Sequence, residues 1–220
     1  VQPSGITATI SPKTLTIGGT TVAANKVYDG TTTATITGGT LVGVVTADAA
    51  LVSLVQAGSF TQTGVGTAIN VTISDSLSGI AAANYVLTQP TGVRANITAR
   101  TLTVTGTVVA DKVYNGSTTA TISGGSLVGV ISADVSNVVL TQAGSFASAN
   151  AANGIAVTMS NSISGSASSN YTLTQPTGIT GNIAPALLGI TVSAVYSGFT
   201  TITPSSFAVT GLLNSETITG

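Results

Sequence analysis

The stretch KVYDGTTTATITGGTLVGV, Lys26 to Val44, returns as KVYNGSTTATISGGSLVGV, Lys112 to Val130, 86 residues later. The copy extends far beyond the motif, so each position can be compared with its counterpart to see what is kept and what drifts. QPSGITATISPKTLTI, from Gln2, matches QPTGVRANITARTLTV, from Gln89, and QPTGITGNIAP, from Gln175. A repeat of this length is one supersecondary or domain-sized unit used again. The expected organisation is the end of a preceding repeat over 1–12, one β-module over 13–99, a second over 100–185, and an incomplete third over 186–220. Because the chain starts at Val1 rather than Met, it reads as an excerpt of a longer array.

Within each copy the apolar residues alternate with period two. Leu15 and Ile17 flank Thr16, and Ile69, Val71 and Ile73 recur as Ile155, Val157 and Met159; Tyr85 and Leu87 recur as Tyr171 and Leu173. Alternation of this kind puts one set of side chains on the buried face of a strand. The abundant Thr and Val suit that pleated surface because they branch at Cβ. Gly-containing turn signals, such as Asp29-Gly30, Gly38-Gly39, Ser78-Gly79 and Pro90 to Gly92, punctuate the alternation and predict six to eight short strands per copy. No apolar pattern of period 3.6 is sustained, and Gly79 to Asn84 has room for one short turn. A β-solenoid would need a sub-period of about 20 to 30 residues, and none is visible. The chain is expected to be all-β.

Composition narrows the function. Among 220 residues there are 5 Lys+Arg and 6 Asp+Glu, for a net charge of −1, which gives no electrostatic footprint for nucleic acid. The mean hydropathy is +0.54, yet no apolar run reaches the length of a membrane span. Neither nucleic-acid binding nor membrane insertion by this segment is expected. With neither Cys nor His, disulfides, thiolate or imidazole metal ligation and a Ser-His-Asp triad are excluded. No enzymatic activity and no cofactor are expected. Calcium would need several oxygen ligands to converge from scattered acids, and Asp75 is replaced by Asn161 in the second copy.

The same internal comparison sorts the candidate sites. Asp29 becomes Asn115, an exchange that a carboxylate acting as acid, base or metal ligand would not survive. Asp-Gly and Asn-Gly are both preferred in two-residue hairpin turns, so Asp29-Gly30 and Asn115-Gly116 are read as such turns. Tyr28 and Tyr114 are expected in the core, with their hydroxyls bonded to nearby backbone. Lys26 and Lys112 are retained, as are Asp48 and Asp134, and ion pairing between the two sets is the simplest reading. A sharper one is an intramolecular isopeptide crosslink from Lys26 to Asn84 and from Lys112 to Asn170, with Asp48 or Asp134 promoting proton transfer. The Thr runs Thr31 to Thr37 and Thr118 to Thr121 raise ice binding as an alternative, and loop Asn, Gln and Thr raise carbohydrate binding.

With Lys26-Val27-Tyr28-Asp29-Gly30, Asn84-Tyr85 and Gln89-Pro90 in fixed order twice over, the sequence resembles the YDG repeats of bacterial surface and secreted proteins, including large filamentous-haemagglutinin-like adhesins. The segment FAVTGLLNSETITG is similar to glycine-rich β-modules that accompany such repeats. The resemblance implies an extracellular location at the bacterial cell surface and a fibrous or stalk-like role, with no catalytic residues.

The resulting expectation is a tandem of immunoglobulin-like β-sandwich modules forming an elongated rod, serving as the stalk or filament body of an adhesin. Its expected partners are other repeats of the same long chain, with lateral or end-to-end self-association into fibres as a further expectation from neutral strand edges.

Overall fold

The computed structural model describes residues 5–196, 198, 206–213 and 215–218. Among these residues the regular structure is β-strand plus four three-residue 3-10 turns, so the chain is all-β. It divides into two compact units. The first holds residues up to Arg100 together with the loops Ile131–Val135 and Ser169–Thr172; the second holds Thr101–Val130, Ser136–Ser168 and the remainder from Leu173.

In the first unit the strand Lys13–Ala23 pairs antiparallel with Ile36–Val42, from Thr16 opposite Val42 to Ala23 opposite Ile36. On its other side Lys13 to Leu15 pair in parallel with Tyr85–Leu87. The buried members follow the parity of the sequence: Leu15 is fully buried and Tyr85 nearly so, and they pack with Val52 and Ala81. Burying a side chain of that size contributes about 1.5–3 kcal/mol relative to leaving it exposed. The short pair Ser53–Val55 and Ser76–Ser78 supplies Leu77 to the rim of this cluster.

A second, five-stranded sheet runs in the order Lys26–Val27, Arg94–Thr98, Gly66–Ile73, Gly58–Phe60, Thr33–Ala34. Its inner face buries Ala34, Phe60, Val71, Ile73 and Ile97. The second unit repeats the sheet with Lys112–Val113, Thr180–Ala184, Ala152–Met159, Gly144–Phe146 and Thr119–Ala120. There the core is Ala120, Phe146, Val157, Met159 and Ile183, each 86 positions after its counterpart.

Two features differ from the sequence expectation. The first is strand number: ten strands lie between Lys13 and Thr98 and twelve between Arg100 and Ala184. The excess over six to eight comes from the two-residue strands beside the Tyr-Asp/Asn-Gly turn, Lys26–Val27 and Thr33–Ala34 with Lys112–Val113 and Thr119–Ala120, and in the second copy from a broken ladder. In the first copy Gly19 and Thr20 face Gly39 alone, a bulge that keeps Lys13–Ala23 in one piece. The second copy lacks the extra residue, and its ladder breaks into Thr103–Thr105 with Ser126–Val128 and Val108–Val109 with Ile122–Ser123. This one-residue difference is why the copies are offset by 87 positions at Leu15 and Leu102 and by 86 from Lys26 onward.

The second difference is the hairpin. Lys26–Val27 and Thr33–Ala34, which flank Asp29-Gly30, do not pair with each other but form opposite edges of the five-stranded sheet. Lys26–Val27 runs parallel to Ile97 and Thr98, whereas Thr33 and Ala34 oppose Ser59 and Gly58. The long hairpin of Lys13–Ala23 and Ile36–Val42 closes its last bond from Ala24 N to Thr35 O, 2.9 Å, and then splays open. The two-residue hairpin turn predicted at Asp29-Gly30 and Asn115-Gly116 is therefore corrected to a wider connection. Asp29 and Asn115 have negative φ, and only Gly30 and Gly116 take positive φ, +77° and +71°. Parallel pairing in both sheets also departs from an immunoglobulin sandwich, whose sheets are antiparallel.

After Pro185, Gly189–Ser193 pairs antiparallel with Ser206–Thr210, from Gly189 opposite Thr210 to Ser193 opposite Ser206. Ile190, Val192 and Phe207 are all more than half exposed on this hairpin.

Candidate functional site

Each copy keeps a lysine at the point where the hairpin opens, and the structure shows what it does there. Lys26 Nζ donates to Thr31 O at 2.7 Å, Thr31 Oγ1 at 3.0 Å and Thr33 O at 3.2 Å. It also pairs with Asp29 Oδ1 at 2.7 Å and lies 5.7 Å from the centre of the Phe60 ring. Thr33 lies on an edge strand and Thr31 in the connection before it, and the Lys26 ammonium donates to both carbonyls where no strand lies beside them. Thr32 O instead accepts from Phe60 N, and Thr35 O from Ala24 N. Successive residues of the Thr run thus serve different partners, and Thr33–Ala34 and Thr119–Ala120 are strands of only two residues rather than a flat Thr lattice.

Asp29 closes the turn from the other side. Its Oδ1 accepts from Thr31 N and from Thr31 Oγ1, both at 2.9 Å. Desolvation pushes its carboxyl up, but the hydrogen bond from Lys26 and those from Thr31 outweigh it and hold the group below the usual carboxylate range. In the second copy Asn115 Oδ1 accepts from Ser117 N at 3.1 Å, so the turn survives without the charge. Lys112 Nζ still reaches Ser117 O and Thr119 O and lies 5.6 Å from the Phe146 ring centre.

The pairing expected between retained Lys and retained Asp is corrected. Lys26 meets Asp29, whereas Asp48 accepts a hydrogen bond from Tyr85 Oη at 2.7 Å. Lys112 and Asp134 likewise have separate partners. Asn84 ends the 3-10 turn Ala82–Asn84 directly before Tyr85, and Lys26 belongs to the other sheet, so the proposed crosslink partners are not brought together. Neither is Lys112 joined to Asn170, whose Oδ1 accepts from Val65 N at 3.0 Å.

Asp48 and Asp134 each end a 3-10 turn, and a backbone bond spanning the same three residues precedes Glu216. Asp48 N donates to Val45 O at 2.8 Å, Asp134 N to Ile131 O at 2.9 Å and Glu216 N to Leu213 O at 2.9 Å. Each turn aims its carboxylate at tyrosine. In the first unit Asp134 Oδ2 accepts from Tyr171 Oη at 2.8 Å and from Tyr28 Oη at 2.9 Å, while Ile131 N donates to Tyr171 Oη at 3.2 Å. The two rings meet edge to face, 5.4 Å between centroids. Asp134 is only 8% exposed. Burial, then the hydrogen bond to the Asp134 carboxylate, pushes the Tyr28 hydroxyl up to about 12; the same two causes raise that of Tyr171. In the second unit Tyr114 Oη bonds Glu216 Oε1, and that hydrogen bond is the main cause of its raised pKa. Asn150, Ala151, Pro185 and Leu212 line a cleft with this pair.

The predicted role of Tyr28 and Tyr114 is thus half met: Tyr28 is buried, but both hydroxyls go to a carboxylate about a hundred residues on and not to nearby backbone. Gly30 matters to this arrangement. A Cβ there would come within 2.6 Å of Ile131 Cδ1, so the third residue of the Tyr-Asp-Gly triplet is the surface on which Ile131 rests.

Two further side chains close backbone gaps that sequence reasoning did not assign. Gln89 accepts from Asp75 N at 3.0 Å and donates to Asp75 O at 2.8 Å, acting like one residue of an adjacent strand; Gln175 does the same for Asn161. Asp75 and Asn161 each present Oδ1 to a backbone N–H, of Ala57 and Ala143 respectively. Both act as acceptors, which explains their interchange. The signal was the retention of Gln89 and Gln175 before Pro.

No group of three or more His, Cys, Asp or Glu is placed to hold a metal among the described residues. No helix among them is long and apolar enough to cross a membrane. The chemistry displayed by the retained polar residues is hydrogen bonding that closes a fold.

These features define a tandem β-repeat protein in which a Tyr-Asp/Asn-Gly turn is tied to an acid-bearing turn. The YDG domain matches the chain twice, over residues 11–92 and 98–178, and the chain belongs to the YDG-domain family. Comparison with curated proteins and with solved structures gives no match.

Proposed function

We propose that this chain is a structural shaft segment of a secreted bacterial surface protein, built from tandem β-sandwich-like modules that carry a distal adhesive part or form the body of a filament. The observation that carries the reading is where the few retained ionisable groups go. Lys26 and Lys112 close sheet edges, Asp48 and Asp134 receive tyrosine hydroxyls, and Glu216, outside the two copies, receives that of Tyr114. A module that commits its charged residues to internal closure presents a neutral surface of Thr, Ser and Gly, suited to a chemically unreactive spacer. A spacer acts through its length and its resistance to unfolding.

The test is a surface-display series in which an unrelated adhesive domain stands on zero, one, two or four copies of residues 13–99. A shaft predicts that attachment under flow varies with repeat number and is insensitive to substitution of the exposed threonines. Attachment that is independent of repeat number, or that is lost on replacing those threonines, would count against it.

A further inference from the structure

The turn bearing Asp48 is chemically the same as the turn bearing Asp134, yet the two differ in what covers them. Three groups meet the second: Tyr28 Oη on Asp134, Gly30 against Ile131, and Val65 N on Asn170 Oδ1. The corresponding receivers in the first copy are Asp48, Val45 and Asn84. There Asp48 Oδ2 accepts from Tyr85, Val45 N donates to Tyr85 Oη, and Val45 is 46% exposed. Ile80 and Leu51, from segments joined by the bond from Ala81 N to Leu51 O, are 86% and 38% exposed. A carboxylate with two lone-pair-bearing oxygens has capacity for a second donor.

The arrangement recurs a second time in the other unit, where Tyr114 reaches Glu216 and Ala151, the counterpart of Val65, lines the same cleft. Donor set and receiver set are thus matched twice with the same chemistry: tyrosine hydroxyl to carboxylate, beside a loop of the five-stranded sheet.

We infer that Val45, Asp48 and Asn84 form a docking face for the Tyr-Asp/Asn-Gly turn of a further YDG module joined in tandem ahead of Lys13. The incoming tyrosine hydroxyl donates to Asp48, the turn glycine seats Val45, and the loop equivalent to Gly64-Val65 donates a backbone N–H to Asn84. Both tyrosines of the chain's own turns are already engaged, Tyr28 by Asp134 and Tyr114 by Glu216. The occupant is an additional module joined in tandem, the arrangement in which Tyr28 already meets the acid of the following repeat. The inference stands on the clasp geometry and not on the shaft reading, so the two fail independently.

The test duplicates residues 13–99 in tandem ahead of Lys13, leaving the remaining chain intact. Tyr28→Phe in the added copy and Asp48→Asn in the original copy are combined in a double-mutant cycle on the unfolding equilibrium. The expected coupling is about tenfold in the equilibrium constant, the size of one hydrogen bond to a charged group. Both substitutions keep side-chain shape, and an independent readout uses no substitution: the titration of Tyr85 should move to higher pH in the extended chain than in the parent. Strict additivity of the two substitutions together with an unmoved Tyr85 titration would overturn the inference.

Discussion

Tyr28→Phe isolates one hydrogen bond. The ring, its burial and its edge-to-face contact with Tyr171 at 5.4 Å are kept, and only the hydroxyl that donates to Asp134 Oδ2 at 2.9 Å is removed. The acceptor is a carboxylate only 8% exposed, so water replaces the lost donor poorly. A hydrogen bond to a charged group under these conditions contributes about 1.5–3 kcal/mol. With a urea dependence of about 1–3 kcal/mol per molar for a small domain, the midpoint of the first unit should fall by roughly 1 M. Tyrosine fluorescence follows the transition, since the chain has no Trp. Asp134→Asn should cost less than the sum expected for losing both tyrosine partners, because a carboxamide oxygen still accepts. The double substitution should show coupling of about 1–2 kcal/mol, within the range seen for contacting pairs. A Tyr28→Phe midpoint unchanged within error, or full additivity with Asp134→Asn, would refute the clasp.

Lys26→Met and Lys112→Met should each destabilise by about 1–3 kcal/mol, since each strands two carbonyls at an open sheet edge; thermal or urea unfolding checks both, and an intact mass equal to the sequence mass shows that both amines are free. Asn115→Asp should add an ion pair to Lys112 and raise stability by no more than about 1 kcal/mol, an effect that salt diminishes. At the bulge facing Arg94–Thr98, Ala68 has φ +49° where the second copy has Gly154 at +64°. Ala68→Gly should therefore stabilise by about 0.5–1 kcal/mol and Gly154→Ala destabilise by a similar amount, read from the shift in unfolding midpoint. Asp75→Asn should change stability by less than about 1 kcal/mol, because Asn161 fills the same acceptor role in the second copy.

The strand faces were legible because burial on a pleated strand alternates with period two, and Leu15, Ile69, Val71 and Ile73 display that period without interruption. The pairing of polar groups was not. Lys26, Tyr28, Asp48 and Tyr85 are all unchanged in the second copy, and residues that do not vary give no covariation from which to pair them. Charge suggested Lys26 with Asp48, but that choice assumed one shared neighbourhood for a residue on an edge of the five-stranded sheet and one in a 3-10 turn whose carboxylate meets Tyr85. The Tyr-Asp-Gly turn misled for a related reason. Asp-Gly has the local chemistry of a tight hairpin, and nothing local records that the flanking residues find their strand partners at Ile97 and at Ser59, tens of positions away. The exchange of Asp29 for Asn115 was read as a turn that does not depend on the charge; the acceptor role of the two side chains, toward Thr31 N and Ser117 N, was not part of that reading.

The most direct measurement is the pH titration of Tyr28, followed through the NMR signal of its labelled ring carbon bearing the hydroxyl. Burial and the Asp134 carboxylate both disfavour tyrosinate, so Tyr28 should ionise near 12 against about 10 for a free tyrosine. A raised folded-state value means that the stabilisation is complete below about pH 10, where the unfolded tyrosine ionises, and is lost as pH rises from there through 12. Asp134→Asn should bring the Tyr28 midpoint down and narrow the alkaline loss of stability. A Tyr28 midpoint near 10 in the unsubstituted protein, unchanged by Asp134→Asn, would contradict the account.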